Sequence, residues 1–64
     1  MSHHTHIITA PGTSEEILTG IFNQLNLSGS HVMDLAGETT GFADLNADQE
    51  ESLRGKGFTV ERLP

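Results

Sequence analysis

Apolar residues recur at three- and four-residue spacing between Ile17 and Leu25, and polar residues fill most of the positions between them. This period predicts an amphipathic helix with one side facing a core. Thr13 is the expected N-cap, with Glu16 at the third helical position. Gly20 costs about 1 kcal/mol relative to alanine inside a helix, so we expect it to allow close packing against a strand.

The boundary residues of a second helix predict it better than its apolar content does. Asn46 can serve as the N-cap, and Gln49 three residues later completes a capping box. Leu53 is the one strong apolar anchor of this helix. Glu50 and Glu51 are expected on its solvated side, because no residue that would form a cleft with them is evident.

Four short segments have the composition of strands. They are His6–Ala10, His31–Leu35, the stretch that follows the tight connection Ala36-Gly37-Glu38 and ends at Leu45, and Phe58–Val60. In the third segment Ala43 and Leu45 alternate with Phe42 and Asp44, so each pair faces one side of a sheet. The order β-α-β-β-α-β predicts a ferredoxin-like fold of the α+β class. Such a fold has a four-stranded antiparallel sheet with both helices on one face.

This arrangement leaves the other face of the sheet uncovered. If Ala43 and Leu45 point inward, Phe42 and Asp44 lie on the uncovered side. A partly apolar sheet face on so small a protein is a candidate binding surface for a protein partner. The alternative is that a few scattered apolar residues are normal on a small sheet.

Length and composition restrict the class of protein. The 64 residues are enough for a flexible N-terminus over 1–5 and one domain over 6–64. Nine acidic residues against three basic ones give a formal charge of −6, which disfavours nucleic-acid binding. The absence of cysteine excludes disulfides and thiolate metal sites. We find no apolar run that would span a membrane or form a signal peptide, so we expect a cytoplasmic protein without a membrane partner.

No catalytic set is recognisable. The serines lie in predicted caps, turns or a helix without a nucleophile-elbow motif, and no phosphate-binding loop is present. We therefore expect neither an enzyme nor a cofactor. The candidate metal ligands are His3, His4, His6 and His31. If Met1 is removed, His4 becomes the third residue, and the free amine, two backbone amides and its imidazole can bind square-planar Cu(II) or Ni(II). The alternative is a histidine-rich start without a metal role.

The segment from Gly41 to Glu61 combines an alternating strand, a capped acidic helix, a glycine and a final strand. These parts are Ala43-Asp44-Leu45-Asn46, Asp48 to Leu53, Gly57, and Phe58-Thr59-Val60-Glu61. In this order they resemble the propeptide-type inhibitor family of subtilisin-like serine proteases, whose members share the β-α-β-β-α-β order. The resemblance covers about a third of the chain.

The resemblance implies an inhibitor or folding chaperone that lays its open sheet face on two surface helices of the protease. Glu38, in the loop between the second and third strands, would cap the N-termini of those helices. Without the family, Glu38 is an ordinary solvated loop residue.

The resemblance also implies that the tail Arg62-Leu63-Pro64 enters the substrate cleft and adds to its edge as a strand. The inhibitors of this family run several residues past the last strand, whereas these three residues extend only about 10 Å. One hypothesis that reconciles the short tail with inhibition puts Leu63 in the specificity pocket, with Pro64 blocking turnover. The alternative on the same scaffold is a standalone acidic interaction protein that inhibits or regulates a non-protease partner through the sheet face.

Overall fold

The computed structural model describes residues 4–27 and 29–64. Its elements are β1 (His6–Thr9), α1 (Glu15–Gln24), β2 (His31–Leu35), β3 (Glu38–Ala43), α2 (Ala47–Gly55) and β4 (Thr59–Arg62). The four strands form one antiparallel sheet in the order β2-β3-β1-β4. The predicted ferredoxin-like α+β fold is therefore confirmed. In the described part of the chain, neither helix is long and apolar enough to cross a membrane.

The core lies between the two helices and one face of the sheet. Its buried apolar side chains are Ile8, Ala10, Leu18, Phe22, Leu27, Ala43, Leu53 and Val60. At the centre of the sheet, the ring of Phe22 fills the space above Gly41. A Cβ atom on Gly41 would lie closer than 3.0 Å to two atoms of that ring. The β3 strand therefore needs glycine where α1 crosses it.

The expectation that Gly20 allows close packing is wrong. Gly20 is exposed, and a Cβ atom added to it would have no other atom within 4 Å. The close approach depends on the strand glycine, Gly41, because the large Phe22 side chain is contributed by the helix. Gly20 therefore gives α1 no packing advantage.

Helix α1 begins one residue later than the sequence predicts. Ser14 has an extended conformation, with φ −77° and ψ 159°, and its Oγ accepts a hydrogen bond from the backbone N–H of Ile17 at 3.2 Å. Ser14 is thus the N-cap, not Thr13. The carbonyl of Thr13 accepts a hydrogen bond from the Thr39 hydroxyl instead, which attaches the preceding turn to β3.

The predicted capping box of α2 is confirmed and has a second role. Asn46 Oδ1 accepts from the Gln49 N–H, and Gln49 Oε1 accepts from the Asn46 N–H, both at 2.9 Å. The Gln49 amide also donates from Nε2 to the carbonyl of Leu25, just after α1, at 3.2 Å. One side chain therefore starts α2 and connects it to the end of α1.

Both helices end with the same backbone motif. After α1, Asn26 has φ 57° and the Leu27 N–H donates to the Phe22 carbonyl at 3.0 Å. After α2, Gly57 has φ 90° and the Phe58 N–H donates to the Leu53 carbonyl at 3.3 Å. These are Schellman motifs, which need a left-handed residue before an apolar one. Leu27 and Phe58 then return the chain to the core.

Candidate functional site

The register of the sheet determines which residues face away from the helices. Phe42 is opposite His31 on one side and Ile7 on the other, and Ile7 is opposite Glu61. Directly opposed residues of antiparallel strands share a face. Gly41, next to Phe42, faces the helices. We define the open face as the residues on the other side: Ile7, Thr9, His31, Met33, Leu35, Glu38, Thr40, Phe42, Asp44, Thr59, Glu61 and Leu63.

The open face has a partly exposed apolar surface. Ile7 and Phe42 are half-buried at its centre. Met33, Leu35 and Leu63 are 36%, 43% and 38% exposed. The outward position predicted for Phe42 is confirmed, because Ala43 is buried and Phe42 is on the opposite side of β3. Neither helix covers this surface.

Asp44 and Glu38 lie at opposite ends of β3. Asp44 is exposed on the open face, and its Oδ1 accepts a hydrogen bond from the Thr5 N–H at 2.9 Å. The prediction that Glu38 lies in the β2–β3 loop is wrong. Glu38 is the first residue of β3 and pairs with Leu35, because two residues alone close the hairpin.

The predicted tail is largely part of the sheet. Arg62 is the last residue of β4 and is opposite His6, so its side chain is on the helix side. The Leu63 N–H donates to the Thr5 carbonyl at 2.8 Å, which continues the pairing of β1 and β4 by one residue. Leu63 returns to the open face by alternation, and Pro64 is exposed beyond it. The segment predicted as flexible, 1–5, thus contains a residue, Thr5, that is hydrogen-bonded to the fold.

Glu50 is a buried polar residue that the sequence analysis missed. It is 7% exposed and lies on the helix side of the sheet. Its Oε1 is 3.2 Å from Nη2 of Arg62 and 3.4 Å from Nε2 of His6, and its Oε2 is 3.4 Å from Nη2 of Arg54. The expectation of a solvated side chain is wrong because β1 and β4 both supply partners. The spacing of Glu50 and Arg54 was the one local indication of this cluster.

The hydrogen bond from Arg62 holds the pKa of Glu50 below its ordinary value of 4.5. Burial acts in the opposite direction, and the charge of Arg62 and the adjacent His6 ring add to the lowering. The carboxylate is thus stabilised in its ionised form by residues of two strands.

The two ring nitrogens of His6 face different partners, and only Nε2 faces the Glu50 cluster. Its Nδ1 is 3.4 Å from the Leu45 N–H, which can only donate, and 2.6 Å from the Thr5 hydroxyl. A neutral ring that accepts at Nδ1 carries its proton at Nε2, which faces Glu50. Nε2 is buried and is not aligned for a hydrogen bond. Its contact with Glu50 at 3.4 Å is therefore electrostatic.

The candidate metal ligands do not come together in the described residues. His6 is 3% exposed, and its Nε2 faces Glu50. The ring of His4 contacts the ring of His31 edge-on, with centroids 6.0 Å apart. His3 lies outside the described residues. Within residues 4–27 and 29–64, no three carboxylate or imidazole groups are arranged to hold a metal ion.

Comparisons with protein-family models, with curated proteins and with solved structures found no match for this chain. The site must therefore be interpreted from its own geometry, which consists of one uncovered sheet face and one buried charged cluster behind it.

Proposed function

We propose that the protein is a binding module that inhibits a subtilisin-like serine protease, or assists its folding, by occlusion and not by catalysis. The observation that supports this proposal is the open face. It carries partly exposed apolar side chains while the helices cover only the other side of the sheet. A protein with so small a core can gain stability from a partner. A partner that binds only the folded state shifts the equilibrium toward that state.

The arrangement of apolar side chains on the open face supports a partner with helices on its surface. Phe42 and Ile7 lie side by side on the two central strands, and Met33 and Leu35 extend the apolar area along β2. Two helices of a protease could lie across such a sheet and bury these side chains, which is the contact that the family resemblance implies.

Glu38 occupies a suitable position for the proposed helix-capping role. It is exposed at the hairpin end of the open face. A carboxylate there could approach the N-termini of helices lying on the sheet, where free N–H groups and the helix dipole favour negative charge. This role of Glu38 depends on the proposed docking of the open face on the protease, and it is excluded if that docking does not occur.

The test of the open face is inhibition of a panel of subtilisin-like proteases by the purified protein. The double variant Met33→Gln with Leu35→Gln removes exposed apolar surface without adding charge. We expect its inhibition constant to rise at least about tenfold, because each side chain loses about 1 kcal/mol or more of buried contact. The matched control is Ile17→Gln, since Ile17 is 59% exposed on α1. Equal inhibition by all three proteins would contradict the proposal.

The role of the tail needs separate variants. Deletion of Leu63 and Pro64 together also removes the hydrogen bond to Thr5, so loss of inhibition would have two explanations. Leu63→Ala keeps that bond, and deletion of Pro64 alone leaves Leu63 in place. If Leu63 fills the specificity pocket, Leu63→Ala weakens inhibition strongly; if Pro64 blocks turnover, its deletion converts the protein into a substrate. Unchanged potency of both variants would exclude the proposed tail mechanism.

A second candidate is an acidic interaction protein that regulates a non-protease partner through the same face. The hydrogen bond from Leu63 to Thr5 supports it, because the backbone at this position is engaged in the protein's own sheet. Pull-down with the protein and with its Met33→Gln, Leu35→Gln variant tests this candidate, since a specific partner is lost with the variant. A cytoplasmic location remains a prediction of the sequence for both candidates.

A further inference from the structure

The three basic residues of the chain lie away from the open face: Arg54 in α2, Lys56 at its C-cap, and Arg62 on the helix side of β4. Arg62 and Arg54 both reach the buried carboxylate of Glu50, at 3.2 and 3.4 Å. Arg54 also donates from Nη2 to the Val60 carbonyl at 3.1 Å. Lys56 is the C-cap of α2. Glu50 thus contacts two of the three basic side chains, both of them on the helix side of the sheet.

The open face carries only negative formal charge. Three exposed carboxylates surround its apolar centre: Glu38 at the hairpin end of β3, Asp44 just beyond the other end, and Glu61 on the edge strand β4. No lysine or arginine is among the described residues of this face. These charges have no basic side chain beside them on this face, so they give its apolar surface a negative border.

We infer that the partner of the open face presents an apolar surface bordered by lysine and arginine side chains. Apolar contacts supply the affinity, and the three carboxylates orient the partner and raise its association rate. This inference rests on the proposed function, because it takes the open face as the binding surface, and it adds the chemical character of the partner.

The same charges argue against other occupants of the open face. A second copy of the chain would bring Glu38, Asp44 and Glu61 against the same three residues, and like charges brought together across an interface are unfavourable. Nucleic acid and anionic lipid would be repelled in the same way. A protein surface that carries lysine and arginine side chains would instead be attracted to the three carboxylates.

The test compares two variants that each remove three of the nine acidic residues. The open-face variant is Glu38→Gln, Asp44→Asn, Glu61→Gln, in which asparagine keeps an acceptor for the Thr5 N–H. The helix-side control is Glu15→Gln, Glu16→Gln, Glu51→Gln, and all three of these residues are exposed. Both variants carry the same net charge, so a difference between them reports the position of the charges. Circular dichroism first verifies that both fold.

The first measurement is the association rate with a protease from the panel that the protein inhibits, as a function of ionic strength. At low salt we expect the open-face variant to associate at least about tenfold more slowly and to lose most of its salt dependence. The control variant keeps both. Equal slowing of the two variants would attribute the effect to net charge, and no slowing would attribute it to apolar contacts alone; either result overturns the inference.

The second measurement does not need a protease. The probe is an amphipathic helical peptide of leucine and lysine, with a leucine–glutamate peptide as its control, and binding is mapped by amide chemical shifts. We expect the lysine peptide alone to shift amides near Phe42 and Ile7, and to bind the open-face variant more weakly. Shifts confined to α1 and α2, or undiminished binding, overturn the inference. If no protease in the panel binds, the proposed function is refuted. The peptide measurement then decides whether the inference about the partner's charge holds.

Discussion

Gly41 and Phe22 form the tightest contact of the fold at the level of single residues. Alanine at 41 would force its Cβ atom against the Phe22 ring, closer than the 3.0 Å that real Cβ atoms keep. We expect Gly41→Ala to lower the free energy of unfolding by about 1–3 kcal/mol, because the ring and helix α1 must shift. Urea denaturation followed by circular dichroism measures this effect, since the chain has no tryptophan or tyrosine.

Gly20→Ala is the matched control for this substitution. Gly20 lies inside α1 and has free space around its Cβ position. We expect it to stabilise the protein by up to about 1 kcal/mol, because alanine favours the helix. The two substitutions should change the free energy of unfolding in opposite directions. A stabilising effect of Gly41→Ala would show that Phe22 does not pack against β3.

Glu50 makes the fold sensitive to acid. Its folded-state pKa lies below the ordinary value of 4.5, so its contribution to stability is present above the unfolded pKa. That contribution is lost as the pH falls from about 4.5 through the lowered value. The groups that face Glu50 are His6 from β1, Arg54 from α2 and Arg62 from β4.

The variant Glu50→Gln isolates this contribution. We expect it to be less stable than the wild type at pH 7 and to lose less of its urea midpoint between pH 7 and pH 3. Glu51→Gln is the control, because Glu51 is the exposed neighbour of Glu50 on α2. If Glu50→Gln and Glu51→Gln retain the same acid dependence as the wild type, Glu50 is not the residue responsible.

At the level of elements, the β2–β3 hairpin is closed by an unusual turn residue. Ala36 has φ 54° and Gly37 has φ 83°, which are the left-handed conformations of a type I′ turn. Asp34 Oδ1 accepts from the Gly37 N–H at 3.0 Å and supports the turn. Alanine is poorly suited to this conformation, which costs a residue with a Cβ atom about 1–2 kcal/mol.

We therefore expect Ala36→Asn to raise the free energy of unfolding by about 1 kcal/mol, since asparagine before glycine is the favoured type I′ pair. Ala36→Val is the contrasting variant and should destabilise the hairpin, because a β-branched residue tolerates positive φ poorly. Urea midpoints that fall in the reverse order would contradict the turn type.

The elements show which parts of this fold can be predicted from sequence. The capping box of Asn46 and Gln49 was predictable because both partners lie within four residues of each other. The predicted N-cap of α1 was wrong by one position, because Thr13 and Ser14 are both good N-cap residues. The Thr39 hydroxyl binds the Thr13 carbonyl, and Ser14 caps the helix. The local sequence pattern does not determine a helix boundary where a contact with a distant strand selects between two suitable residues.

Glu50 shows the same limit for the site. Its sequence neighbourhood is that of an exposed helix, and only the register of β1 and β4 places His6 and Arg62 beside it. The open face was predictable, because the alternation of Phe42 with Ala43 is local. The pairing of Arg54 and Arg62 with Glu50 was not predictable, because it depends on how α2 packs against β4.

At the scale of the whole molecule, the buried core and the proposed binding surface lie on opposite faces of one sheet. The fully buried large side chains, Phe22, Ile8, Leu18 and Leu53, are all on the helix side. The most exposed apolar side chain of the open face is Leu35, at 43%. Substitutions on the two faces should therefore have different consequences for stability and for binding.

We expect Leu53→Ala to lower the free energy of unfolding by about 2–5 kcal/mol, as for other buried leucines. That is a large fraction of what a chain of this size can supply. Leu35→Gln should cost less than about 1 kcal/mol, because its side chain is already partly in water. Urea denaturation of both variants tests this difference. A large loss for Leu35→Gln would mean that the open face contributes to the core, and the binding experiments on that face would then report unfolding and not recognition.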